Sequence, residues 1–66
     1  IITTKVKAAM LNVPELKDSE INVETYKGQV QLSGFVSSYS TKIKAADVAR
    51  GVNGVQSVSD DMKLKN

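Results

Sequence analysis

Apolar residues recur with two different periods along this chain, and the switches between them mark its elements. Ile2, Val6, Ala9 and Met10 fall at i, i+4, i+7 and i+8, one face of an amphipathic helix, with Lys5 and Lys7 off that stripe. Pro14 disfavours the α conformation at Val13, which predicts a helix end near Asn12. Val13 to Ser19 then reads as a loop in which Leu16 plugs the edge of the core. From Glu20 the period becomes two. Ile21, Val23 and Thr25 alternate with Asn22, Glu24 and Tyr26, and Val30, Leu32, Gly34 and Val36 alternate with Gln31, Ser33 and Phe35. A turn at Lys27-Gly28 pairs Thr25 with Val30, Val23 with Leu32 and Ile21 with Gly34, which gathers the apolar set on one face. The other face, with Asn22, Glu24, Gln31 and Ser33, is open to solvent.

The helical period then returns. Ser37 and Ser38 offer capping hydroxyls, and Tyr39, Ile43, Ala46 and Ala49 follow at helical spacing, widened by Ala45 and Val48. The alanines predict close approach of this helix to the sheet. Gly51 or Asn53-Gly54 supplies the left-handed residue that stops it. Val55, Val58, Met62 and Leu64 make a last strand, and the odd spacing from Val55 to Val58 predicts a bend or bulge near Ser57. Asp60 shares phase with Val58 and Met62, a carboxylate position suited to an edge strand. The order helix-strand-strand-helix-strand predicts an α+β two-layer sandwich. Its three-stranded mixed sheet carries both helices on one face, and a right-handed crossover joins the parallel pair.

Sixty-six residues make a single domain, here read as a piece cut from a longer protein from which a targeting segment could have been lost. The chain has no cysteine and no histidine, so neither disulfides nor thiolate or imidazole metal sites enter. The net charge of +2 is mild beside the concentrated basic footprint of a nucleic-acid binder. No apolar run approaches membrane-spanning length, so any membrane contact is peripheral.

Candidate chemistry is sparse. Asp60-Asp61 is the one adjacent carboxylate pair, but successive strand residues point to opposite faces, so the two do not converge on a proton or a metal. An enzyme is not expected, and no catalytic residue, metal or cofactor is assigned. Gly51-Val52-Asn53-Gly54 has the spacing of a backbone-clamping GxxG loop, yet it joins helix to strand and lacks basic middle residues, so it reads as a helix stop. Lys5 and Lys7 on the first helix and Lys42 and Lys44 on the second are candidates for anionic lipid head groups. Tyr26 and Phe35, out of phase with the core, and Tyr39, which could fall either way, are candidate partner contacts.

The phrases Val30-Gln31-Leu32-Ser33-Gly34-Phe35-Val36 and Gly51-Val52-Asn53-Gly54-Val55-Gln56-Ser57-Val58, separated by an alanine-bearing helix, resemble a BON domain over essentially the whole chain. The resemblance implies the element order read above, a bacterial periplasmic setting linked to osmotic stress, and non-catalytic binding of phospholipid, often by tandem copies of the domain. The residues it carries over are structural. Gly34 is expected to leave room for close approach of a helix, and Gly54 to support the turn into the last strand. Two alternatives stand beside lipid attachment. One is a chaperone-like module whose open sheet face or edge strand receives exported proteins, and the other is potassium sensing through backbone carbonyls.

Overall fold

A computed structural model of the protein describes residues 1–65, leaving Asn66 outside the description. Its elements are α1 (Ile2–Leu11), a 3-10 turn (Pro14–Leu16), β1 (Glu20–Tyr26), β2 (Gln29–Val36), α2 (Tyr39–Arg50) and β3 (Ser57–Leu64). The sheet has the order β1-β2-β3, with β1 antiparallel and β3 parallel to the central β2. The expected α+β sandwich is the observed fold.

The hairpin forms in the register that the alternation dictates: Thr25 faces Val30, Val23 faces Leu32 and Ile21 faces Gly34. Lys27 and Gly28 both take positive φ, +50° and +82°, the signature of a type I′ turn whose twist matches that of the strands. Leu32, Val6, Val30 and Val36 are the largest fully buried side chains, and Met10, Leu16, Val23, Ala45, Ala49 and Met62 complete the core between sheet and helices. Helix α1 is also tied to β1 by a hydrogen bond between the Thr3 and Thr25 hydroxyls, 2.7 Å apart.

Three local expectations are corrected, and one choice between two is made. The core-facing side of α2 is Thr41, Ala45, Ala46 and Ala49, whereas Tyr39 and Ile43 lie exposed. Alanines at the contact bring the helix close to the sheet, and only small side chains fit along that line. Thr41 can be buried because its hydroxyl meets Ser38 Oγ at 3.0 Å, while its amide donates to the same capping oxygen at 3.1 Å. Of the two places offered for the left-handed residue after α2, Gly54 takes it, with φ +94°, while Gly51 has φ −79°. Val55 lies before β3, and the bend is made where the amides of Gln56 and Ser57 both donate to the Gly28 carbonyl, at 2.7 and 3.4 Å. Gly34 makes room for the neighbouring strand and not for a helix: a Cβ there would lie 1.9 Å from the Glu20 carbonyl oxygen.

Candidate functional site

Charge is sorted by layer. The two helices carry Lys5, Lys7, Lys42, Lys44 and Arg50 against the single acid Asp47. The solvent face of the sheet carries Glu20, Glu24 and Asp61 by strand alternation, together with Lys63, with Lys65 on Glu20 and with Lys27 over the Tyr26 ring, so its acids and bases balance. The helix layer is therefore basic, while the open sheet face is mixed.

Within the basic layer the candidate lysines are not equivalent. Lys42 Nζ lies 2.8 Å from Asp60 Oδ2, with both side chains about three-quarters buried, so the pair fastens α2 to β3. Asp60 is the edge-strand carboxylate that the phase of β3 predicts, and its other oxygen accepts the Met62 amide at 3.1 Å. Arg50 pairs with Asp47 one turn earlier. Lys5, Lys7 and Lys44 are exposed and make no ion pair among the described residues.

The aromatic candidates do not come together. Tyr26 stands at the hairpin turn, 72% exposed, with the Lys27 ammonium 5.4 Å from its ring centroid. Phe35 is half-exposed at the other end of the same sheet face, about 20 Å away along the strands. Tyr39 lies on the first turn of α2. Asp61 accepts from Gln31 Nε2 at 2.9 Å on the open face, so the two adjacent carboxylates do diverge. Among the described residues, no group of three or more histidine, cysteine or acidic side chains could hold a metal, and no helix is long and apolar enough to cross a membrane.

A groove of about 630 Å³ opens between the C-terminal end of α1, the 3-10 turn and β1. Buried Met10, Leu16 and Val23 and half-buried Val13 and Ile21 line it, with exposed Lys7 and Lys17 among its residues and no acid. The sequence reading anticipated Leu16 at the core edge but missed both the groove and Lys17. Its one sequence signal is the pair Val13 and Leu16, apolar residues kept at a one-turn spacing inside a segment otherwise polar enough to be a loop.

Two comparisons bear on this arrangement. The chain is 45% identical over 65 residues to the Osmotically-inducible protein Y of Escherichia coli (strain K12), covering 98% of this chain and 32% of that protein. It thus spans about a third of the length of the curated relative it matches. The family model of the BON domain matches residues 1–66, and the element order, the Gly34 strand crossing and the Gly54 turn all fall within that match. By that family match the chain belongs to the BON domain family.

Proposed function

We propose that this domain is a non-catalytic module of a bacterial envelope protein of the osmotic-stress response, periplasmic in location, and that it attaches peripherally to anionic phospholipid through its helix layer. The observation that carries this reading is that Lys5, Lys7 and Lys44, exposed and without an ion pair among the described residues, all lie on the two helices. A surface of negative head groups attracts the helix side more strongly than the charge-balanced sheet side, so attraction and orientation arise together. The relative's name records osmotic induction, which supports the stress setting.

Lys5, Lys7 and Lys44 supply the attraction, at roughly 1 kcal/mol each near an anionic surface. Lys42 contributes less, because leaving Asp60 would expose a half-satisfied carboxylate at the edge of the core. Three such lysines give weak binding, of the order that linked copies of a domain raise by acting together.

The test is an amide NMR titration with phosphatidylglycerol micelles against phosphatidylcholine as control. The expected result is a set of shifts on α1 and α2 around Lys5, Lys7 and Lys44 that fades as salt is raised. Each lysine changed to glutamine should weaken binding roughly fivefold, while Lys42→Gln should weaken it less and lower stability. Equal shifts with phosphatidylcholine, or shifts confined to the sheet face, would overturn the reading.

A further inference from the structure

The groove between the C-terminal end of α1, the 3-10 turn and β1 has an apolar floor and a basic rim. Met10, Leu16 and Val23 belong to the core itself, and half-buried Val13 and Ile21 pack against that core while keeping part of their surface open. Leu11, 87% exposed, adds a further apolar side chain to the lining. A volume of about 630 Å³ lies within the range of sites that hold a small molecule, about 300–1,000 Å³. Apolar wall left in water favours an occupant with a hydrocarbon portion.

The rim decides the charge of the rest. Lys7 stands on α1 one turn before Met10 and Leu11, on the same helix face, and Lys17 closes the 3-10 turn. The two ammonium groups therefore come from two walls, and neither makes an ion pair among the described residues. Glu15, Asp18 and Glu20 are close in sequence, yet none of them lines the groove, and Glu20 lies on the open sheet face with Lys65. A lysine stem is itself apolar, so both side chains can lie along the walls and present their charge at the mouth. A cationic amphiphile would be repelled there, and an uncharged one would leave both charges unused.

We propose that the groove binds one molecule of a fatty acid, with its hydrocarbon chain on Met10, Val13, Leu16, Ile21 and Val23 and its carboxylate accepting from Lys7 and Lys17. One groove takes one chain. A two-chain phospholipid would leave its second chain in water, so the ligand is a single molecule taken from solution and not a bilayer surface. This site is separate from the helix-layer attachment, with which it shares Lys7 alone.

The test adds decanoate, kept below the concentration at which it forms micelles, to the isotope-labelled domain and follows methyl and amide NMR. The expected result is saturable shifts at the Met10, Val13, Leu16, Ile21 and Val23 methyls. Dodecanoate should bind more tightly, because each added methylene leaves water. Decyltrimethylammonium, with the same chain and the opposite charge, should bind more weakly than decanoate, and Lys17→Glu, an exposed substitution, should reverse that order. Lys17→Gln should weaken decanoate binding up to roughly fivefold and leave phosphatidylglycerol micelles bound as before. Decanoate filling the groove of a domain that ignores those micelles would support this proposal and overturn the attachment. Any of four results would overturn the proposal itself: no saturable shift at millimolar decanoate; shifts on α2 and the sheet face in place of the groove; equal binding of decyltrimethylammonium; or an affinity that both Lys17 variants leave untouched.

Discussion

Gly34→Val is expected to abolish cooperative folding at 25 °C. Gly34 sits in the middle strand with φ +118°, a conformation that costs a residue bearing a Cβ about 1–3 kcal/mol. The added atom would also lie 1.9 Å from the Glu20 carbonyl oxygen and 2.9 Å from its carbon, and backbone on the adjacent strand cannot rotate aside. Opening β1 from β2 to relieve the contact would break the register at Ile21 and Asn22, at a further cost of about 1–3 kcal/mol from overpacking. A small core without disulfides rarely holds more than about 3–5 kcal/mol in all. Urea titration by circular dichroism checks the point, with Gly54→Ala as comparison. Gly54 also has positive φ, but its Cβ would meet only the tip of Ile2 at 3.3 Å, so that variant should lose about 1 kcal/mol and still unfold cooperatively. A Gly34→Val midpoint near that of the unaltered domain would show that the two strands do not meet in this register.

Leu32→Ala should lower stability by about 3 kcal/mol, the middle of the range for a leucine removed from a closed core. Leu32 is fully buried at the centre of β2, flanked by Val23 on one side and Asp60 on the other. The alanines of α2 above it cannot grow into the space, so the cavity persists. Ile43→Ser, at a position that the helical spacing also marks as apolar but that is half-exposed, should change stability by no more than about 0.5 kcal/mol. A large loss at Ile43 together with a small one at Leu32 would contradict the packing of α2 described here.

That contrast shows which parts of the fold were legible. The hairpin register could be read because period-two alternation and a two-residue turn are independent constraints, and only one pairing satisfies both. The rotation of α2 could not. Its stripe is dominated by Tyr39 and Ile43, while the residues that face the sheet are alanines and a threonine, whose apolar signal is weak. The observed face lies about a quarter turn away from the centre of the predicted one. Thr41 counts as polar in any pattern, and only the Ser38 hydroxyl beside it makes its burial inexpensive. Asp60 was legible as an edge-strand carboxylate by phase alone, although its partner Lys42 was read as a lipid contact.

The candidate site was less accessible for a different reason. Acids and bases are mixed along the chain with little clustering, and the basic surplus of the helix layer is made by the fold. Asp60 and Asp61 are neighbours in sequence, yet one fastens α2 and the other accepts from Gln31 on the open sheet face. The groove has three walls from three elements, joined through a short 3-10 turn that begins at Pro14 and that apolar periodicity does not reveal.

The carbonyl of Gly28 has a consequence for how the chain assembles. It receives the amides of both Gln56 and Ser57, and the space where a Cβ would stand is filled by the Gln56 side chain, 2.9 Å away. The first anchor of β3 is thus the hairpin turn itself, and it does not exist until β1 and β2 have closed. The hairpin needs only neighbouring residues, while the parallel β2–β3 ladder must first close a loop through the whole of α2. Formation is therefore expected to run from hairpin to crossover, with β3 zipping last from Ser57 toward Leu64. Changes at Gly28 should slow folding, whereas changes at the far end of β3 should mainly hasten unfolding, a division that stopped-flow kinetics on the two sets would separate.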